Sequence, residues 1–272
     1  MIKRSLTVIV GLPIVLVILI FGNKYIIDAV VAILAIIGIH EYIKCISNKF
    51  KPISWIGYIL AVSIALLHVI PKELIIKYLP LGILTIVALL FMHVVFSDMK
   101  INFADIAFTL FGVLYVVGFF AFIPIIYGLE SDGFQIGKIY IAFLFLATWG
   151  SDIFAYLIGV RFGRHRFSKI SPKKSIEGCI AGALSGIILV VAACGIFNVV
   201  YNLDINYGII TLIATIITIL GQIGDFSASC IKRYCEVKDF SNLLPGHGGI
   251  IDRFDSVIFA APFAYYLLTL LI

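Results

Sequence analysis

Apolar residues occur in long runs along the whole chain, and short polar segments separate them. Most runs are roughly 16–23 residues long without polar alternation, so they suit helices that cross about 30 Å of hydrocarbon rather than strands. The pattern predicts an all-α protein with about nine transmembrane helices. The predicted spans are Leu6–Phe21, Tyr25–Ile39, Ile53–Ile70, Leu79–Phe96, Ile106–Leu129, Ile139–Val160, Cys179–Val199, Gly208–Ile223 and Ser256–Ile272.

The composition excludes a water-soluble domain. Hydrophobic residues make up 62% of the sequence, charged residues make up 13%, and the mean hydropathy is +1.15. A soluble fold with this composition would expose large apolar patches and aggregate. Because no internal repeat is visible, the sequence predicts one membrane domain over residues 1–272. Lys3 and Arg4 before the first run also suit a signal peptide, but no small-residue cleavage site follows, which favours a retained helix.

The distribution of positive charge predicts an orientation. With the N-terminus in the cytoplasm and the C-terminus outside, nine spans place sixteen of the twenty Lys and Arg residues on the cytoplasmic side. This agrees with the excess of Lys and Arg in cytoplasmic loops. Two large polar segments, residues 161–178 and 227–255, are then cytoplasmic, where nucleotides are found. The four remaining cations are Lys24, Lys72, Lys77 and Lys138.

A first polar constellation continues from the eighth predicted span. If residues 225–233 are helical, a carboxylate, a hydroxyl and two cations share one face of the helix. Charges at the edge of a span are costly and by default mark a substrate or ion site. An ion pair between the carboxylate and a basic residue is the alternative. The four residues are Asp225, Ser229, Lys232 and Arg233.

A second constellation follows it. Glycines flank His247, so the backbone can approach a ligand and aim N–H groups at phosphate, and a helix that starts near Gly249 would add its positive N-terminal end. Asp252 and Asp255 lie at i and i+3 on that helix, and Mg²⁺ prefers carboxylate oxygens. Both could instead only cap the helix, and a structural role fits His247 equally well. Further candidates here are Lys238, Asp239, Gly248 and Arg253.

A third constellation begins inside the sixth predicted span. The carboxylate of Asp152 lies among apolar residues, at a cost of about 2.5–3.5 kcal/mol near a helix centre and less toward the end, so it requires compensation. The loop that follows is densely cationic, and Lys173, Lys174 and Ser175 suit phosphate binding. Glu177 would limit the net charge or help to position a metal. Attraction of the loop to anionic lipid is the alternative.

The remaining polar and small residues give weaker signals. His40, Glu41 and Tyr42 at the cytoplasmic end of the second span could join the site, although an interfacial aromatic belt explains Tyr42 equally well. Glycines recur every four residues from Gly178 to Gly186, which predicts a close helix contact within the subunit or across a dimer. The five cysteines show no metal-ligand spacing and predict buried thiols.

Two motifs resemble those of one enzyme family. Residues 229–255 combine Ser-x-apolar-Lys-Arg, Lys-Asp, Pro-Gly-His-Gly-Gly and Asp-Arg-Phe-Asp, an order that resembles the signature of phosphatidate cytidylyltransferases (CDP-diacylglycerol synthases). Residues 171–178, Ser-Pro-Lys-Lys-Ser-Ile-Glu-Gly, resemble a second recurrent motif of that family. The resemblance divides the domain into N-terminal helices, 1–138, and a catalytic half, 139–272.

The resemblance implies a Mg²⁺-dependent enzyme that joins CTP to phosphatidate and releases pyrophosphate. Such an enzyme is expected in the inner (plasma) membrane among its lipids, with its active site facing the cytoplasm and no nucleic-acid partner. The resemblance leaves open a homodimer and a second, monovalent cation.

The expected roles fall on residues of all three constellations. The expected metal ligands are Asp225, Asp252, Asp152 and Asp255. The expected catalytic residues are Asp225, Asp252, Lys232, Arg233, Lys238 and Asp239. The expected substrate-binding residues are Lys173, Lys174, Ser175, Ser229, His247, Gly248, Gly249 and Arg253.

Two other functions fit part of the pattern. A CTP-dependent lipid-alcohol kinase would need the same nucleotide and metal but would release CDP instead of pyrophosphate. An ion-coupled transporter could use Asp152 and Asp225 as a relay near the membrane. The paired lysines and the glycine-flanked His247 favour a nucleotide over an ion path.

Overall fold

The structure is a computed structural model that describes residues 13, 15–98, 100–168, 171, 174–243, 246 and 248–271. Within this part of the chain the regular structure is helical, with two isolated β-bridges, which confirms the all-α prediction. The α-helices with described bounds are α1 (Lys24–Ile46), α2 (Ser54–Ser63), α3 (Lys72–Phe96), α4 (Phe103–Gly112), α5 (Phe119–Tyr127), α6 (Gly137–Phe162), α7 (Ile176–Tyr201), α8 (Tyr207–Tyr234) and α9 (Ile251–Leu268).

Seven helical segments of the described residues are long and apolar enough to cross a membrane. Five of them are α1, α3, α6, α7 and α8. A π-helical turn, Val113–Gly118, joins α4 and α5 into the sixth segment, and the 3₁₀ turn Thr269–Leu271 extends α9 into the seventh. The chain is therefore a multi-pass membrane protein.

The other two predicted spans have different outcomes. Half of the span Leu6–Phe21 lies outside the described residues, and residues 15–21 are helical. The third span is shorter than predicted, because α2 and the 3₁₀ turn Ile64–Leu66 comprise only 10 and 3 residues. The chain then turns, and His68 donates its backbone N–H to the carboxylate of Asp28 on α1 at 3.0 Å. The count of nine spans and their orientation stay predictions.

The chain divides into two compact units. The first unit comprises Met1–Ile125 and Cys235–Asp252, and the second comprises Ile126–Tyr234 and Arg253–Ile272. The organisation as one domain with an N-terminal and a catalytic half stays a prediction. Each unit carries part of the residues singled out from the sequence.

Polar contacts to α4 hold the loop between α1 and α2 in the first unit. Asn102 and Asp105 form a capping box at the start of α4, in which each side chain accepts from the backbone N–H of the other. Asp105 also accepts a hydrogen bond from the backbone N–H of Lys51 at 2.8 Å, and Thr109 accepts one from Ile53 at 2.9 Å. The backbone N–H of the buried residue Ile53, which would otherwise lack a partner, is thereby satisfied.

The second unit is built around a close contact between α6 and α7. A Cβ at Gly182 would lie 2.6 Å from the carbonyl oxygen of Ser151 and 2.7 Å from the Cβ of Ala155. Gly178 and Gly186 lie against the backbone of α6 in the same way. The predicted glycine contact is therefore confirmed, and it forms within the subunit.

Replacing Gly182 by alanine should push α6 and α7 apart. We expect Gly182→Ala to lower the free energy of unfolding by about 1–3 kcal/mol, the usual cost of overpacking. The check is the thermal unfolding midpoint in detergent. The matched control is Gly82→Ala in α3, where a Cβ would meet no atom within 4 Å, so helix propensity alone should leave stability equal or higher. Equal loss of stability in both variants would contradict the close contact.

Candidate functional site

Three carboxylates and one lysine interact in the second unit. Asp152 on α6, Asp225 on α8 and Asp255 on α9 lie close enough to repel one another electrostatically. Lys174, from the loop before α7, forms an ion pair with Asp225 and attracts the other two carboxylates. These four residues are called the acidic cluster below.

Close packing of α8 on α9 positions two of the carboxylates. As the sequence suggested, α8 continues through residues 225–233 as a helix and ends at Tyr234. A Cβ at Gly224 would meet the backbone oxygen of Asp255 at 2.7 Å and the side chain of Phe259. The glycine before Asp225 thus allows the two helices to approach closely.

Ser256 serves the other pair of carboxylates. Its hydroxyl donates a hydrogen bond to Oδ2 of Asp152 at 2.8 Å, and its backbone N–H donates to Oδ1 of Asp255 at 2.8 Å. Ser256 and Asp255 are both buried. A buried carboxylate needs such donors, because burial without a partner costs several kcal/mol, or about 20 in the idealised limit.

Lys174 is the cation of the cluster. Its ammonium lies 4.5 Å from the ring centroid of Phe226, and this ring stacks on Phe167 at 4.6 Å. Burial lowers the pKa of Lys174. The negative charge of Asp225 and its hydrogen bond raise the pKa by more than burial lowers it, so the pKa lies above its ordinary value. Lys174 is therefore protonated at neutral pH. The raised pKa adds stability below the ordinary pKa, and this stability is lost as the pH rises through the folded-state value.

The loop before α7 is fixed by the first residues of that helix. Glu177 accepts hydrogen bonds from the backbone N–H of Arg164 at 3.2 Å and from Nδ1 of His165 at 2.6 Å. Ser175 caps α7, accepting from the backbone N–H of Gly178 at 3.1 Å. The role of Ser175 toward substrate stays a prediction, and Lys173 lies outside the described residues.

In the first unit, Glu41 is a functional candidate for which the sequence pattern offers only a weak signal. Its carboxylate is buried, with 2% of the residue exposed. It accepts hydrogen bonds from the Ser241 hydroxyl at 2.6 Å and from the backbone N–H groups of Ile250 at 2.9 Å and Ile251 at 3.0 Å. A Cβ at Gly249 would overlap with this carboxylate. The available signal was an acidic residue at the end of an apolar run.

Asp252 has the capping contact that the sequence left open. Its Oδ2 accepts from the backbone N–H of Gly249 at 2.9 Å and of Phe240 at 2.8 Å. Gly248 adopts a φ of +80°, and a Cβ there would contact the carboxylate of Asp252. The metal-ligand role of Asp252 stays a prediction.

The other predicted residues have varied surroundings. Lys232 attracts the carboxylate of Asp255 electrostatically. Ser229 is buried on α8. The backbone carbonyl of Arg253 accepts a hydrogen bond from Nε1 of Trp149 at 3.2 Å. Arg233 and Lys238 are exposed. His247 lies outside the described residues. A pocket of about 320 Å³ is lined by Asp239 together with Lys44, Cys45, Asn48, Val237, Phe240, Ser241 and Asn242.

The acidic cluster has the donor chemistry for a hard cation but does not form a complete cage. Among the described residues, no group of three or more His, Cys, Asp or Glu side chains is arranged to hold a metal ion. Mg²⁺ is usually bound through one or two carboxylates, with substrate phosphates and waters completing its shell. The three carboxylates, which outnumber the lysine, therefore fit Mg²⁺ by donor type and charge.

Sequence comparisons decide the family. A profile described as the cytidylyltransferase family matches residues 2–271. The chain belongs to the cytidylyltransferase family. This confirms the resemblance based on residues 171–178 and 229–255, and the matched range also includes the N-terminal helices.

Curated members of the cytidylyltransferase family match the chain along nearly its whole length. Phosphatidate cytidylyltransferase of Staphylococcus haemolyticus (strain JCSC1435) is 35% identical over 267 residues, which cover 97% of this chain and 98% of that protein. The protein of the same name from Staphylococcus aureus (strain COL) is 35% identical over 273 residues, with the same coverage.

Within this member of the family, Lys174 should depend on Asp225 for its contribution to stability. We expect Lys174→Met to lower the free energy of unfolding by about 1–3 kcal/mol, because it leaves Asp225 without its charged partner. The double variant Lys174→Met/Asp225→Asn should lose less than the sum of the two single variants. The check is a double-mutant cycle of unfolding midpoints in detergent, and strictly additive losses would contradict the ion pair.

Proposed function

We propose that the protein transfers the cytidylyl group of CTP to phosphatidate, giving CDP-diacylglycerol and pyrophosphate. Whole-length similarity to relatives named phosphatidate cytidylyltransferase supports this function. The structural observation that carries it is the acidic cluster, which gathers carboxylates on helices that are long enough to span a membrane, together with a lysine from the adjoining loop. This combination suits a polyanionic nucleotide and a lipid substrate.

The reaction requires substrate positioning and stabilisation of negative charge more than covalent catalysis by the protein. An oxygen of the phosphatidate phosphate attacks the α-phosphorus of CTP, the new P–O bond forms, and the bond to the β-phosphate breaks to release pyrophosphate. Negative charge develops on the phosphoryl oxygens, so positioning and nearby cations supply most of the catalysis. Lys174, Lys232 and Arg233 are the proposed cations, since all three belong to the unit that holds the acidic cluster.

We assign the proposed Mg²⁺ to two carboxylates of the acidic cluster, with Asp225 as the main ligand and either Asp152 or Asp255 as the auxiliary ligand. Bound there, the metal would neutralise charge on the triphosphate and polarise its oxygens. The ion pair of Asp225 with Lys174 supports this assignment, because the cluster already binds one cation. Ser256 would hold Asp152 and Asp255 in orientation through its two hydrogen bonds.

The proposed location is the inner membrane, with the reaction on the cytoplasmic side. The concentration of Lys and Arg in alternate loops supports this orientation. A lipid substrate can then keep its acyl chains in hydrocarbon while its phosphate reaches the helix ends. The glycine contact between α6 and α7 forms within one subunit, so it does not require the homodimer that the sequence left open.

Two positions of radioactive label distinguish the proposed transfer from the kinase alternative. With phosphatidate and CTP labelled at the α-phosphate, label should enter the lipid. With CTP labelled at the γ-phosphate, the label should be released in pyrophosphate. The check is chromatography of both products from purified protein with Mg²⁺. When a lipid alcohol replaces phosphatidate, lipid labelled from the γ-phosphate with release of CDP would instead indicate a kinase. Absence of turnover with both lipids would contradict an enzyme.

Neutralising Asp225 should remove activity without unfolding the protein. We expect Asp225→Asn to lower kcat by about 100-fold or more, as for the loss of a principal electrostatic group, and to raise the Mg²⁺ concentration needed for half-maximal rate. The check is a Mg²⁺ titration of the initial rate. Asp204→Asn is the matched control, because Asp204 is exposed in the loop between α7 and α8 and should retain full activity. An unchanged rate in Asp225→Asn would contradict the metal assignment.

A further inference from the structure

We propose that Glu41 is a positioning residue for cytidylyl transfer, which it serves by anchoring residues 240–251 to α1. This inference rests on the proposed function. It concerns a residue of the N-terminal helices, far in sequence from the motifs that carry the family resemblance.

The hydrogen bonds of Glu41 join the two ends of one segment. Oε1 accepts both the Ser241 hydroxyl and the backbone N–H of Ile250, and Oε2 accepts the N–H of Ile251. Ile251 is the first residue of α9, so the carboxylate also lies at the positive end of that helix. One buried side chain therefore links α1 to both ends of the segment and to the start of α9.

A second carboxylate makes a parallel connection. Asp252 accepts hydrogen bonds from the backbone N–H groups of Phe240 and Gly249. Each of these residues immediately precedes a residue that bonds to Oε1 of Glu41, namely Ser241 or Ile250. The segment is thus closed at its base by two carboxylates, of which only Glu41 belongs to another helix. Asp252 joins the two ends of the segment to each other, and Glu41 joins these ends to α1.

The segment needs such anchors because its own backbone preferences are weak. Gly246 and Gly248 adopt φ values of +79° and +80°, a region that glycine enters readily but does not specify. Gly249 leaves no room for a side chain beside the Glu41 carboxylate. Without Glu41, the glycine-rich backbone would be free to sample other conformations. Residues to which the family resemblance assigns substrate binding, including Gly248 and Gly249, would then be misplaced.

A matched control lies on the same helix. Asp28 on α1 is also fully buried and also accepts a backbone N–H, together with Nδ1 of His68 at 2.7 Å. It contacts the turn after α2 rather than residues 240–251. Neutralising Asp28 therefore removes a similar buried carboxylate from α1 without releasing the segment.

The test compares Glu41→Gln with Asp28→Asn, well below the unfolding midpoint of either variant. We expect Glu41→Gln to raise the KM for CTP at least tenfold and to speed hydrogen exchange at Ile250 and Ile251. Asp28→Asn should lower the unfolding midpoint but keep the KM within twofold of wild type. Ser241→Ala removes one of the three donors, so it should shift KM and exchange in the same direction by a smaller factor.

The outcomes separate this inference from the proposed function. If the wild-type protein forms no CDP-lipid, the proposed function is wrong, and the kinetic role of Glu41 is wrong with it. If the wild type is active and Glu41→Gln matches Asp28→Asn, with lower stability but unchanged KM and exchange, the positioning role alone is wrong. If Glu41→Gln does not fold, Ser241→Ala decides, and unchanged KM and exchange there would overturn the inference.

Discussion

A carboxylate inside a membrane protein must be paired or hydrogen-bonded, because an uncompensated buried charge costs several kcal/mol even after relaxation. The buried acids of the first unit meet this requirement through partners that are distant in sequence. Asp28 is bonded by His68, Asp105 by Lys51, and Glu41 by Ser241 and the start of α9. These contacts therefore also connect segments that the apolar runs alone would leave unconnected.

The negative charge of the carboxylates is stabilised in different ways in the two units. Backbone N–H groups are the main donors to Glu41 and Asp105 in the first unit, and such donors cannot leave without unfolding a loop. In the acidic cluster the main partner is a lysine side chain, which can rotate away and be replaced by another cation. The first arrangement suits a scaffold, whereas the second suits a site where charged ligands enter and leave.

Apolar periodicity predicted most of the fold, since α1, α3, α6, α7 and α8 all fall on predicted spans. It overestimated the third span, because that helix ends where His68 bonds to Asp28, a contact across 40 residues. The sequence also identified Asp152, Asp225 and Asp255, because charge beside apolar runs is conspicuous. It could not show that Lys174 pairs with Asp225, or that Glu41 has partners about 200 residues away, since pattern carries no information on distant contacts.

The brevity of α2 has a consequence for the surrounding lipid. With its 3₁₀ turn it comprises 10 and 3 residues, and Trp55, Ile59 and Val62 face outward. At a rise of about 1.5–2 Å per residue it covers roughly 20 Å, less than the hydrocarbon thickness of about 30 Å. If α2 spans the bilayer, as the sequence predicts, a hydrophobic mismatch of this size is relieved by local thinning of the bilayer, at a fraction of a kcal/mol per Å. Headgroups beside α2 would therefore lie deeper than those of the undisturbed leaflet.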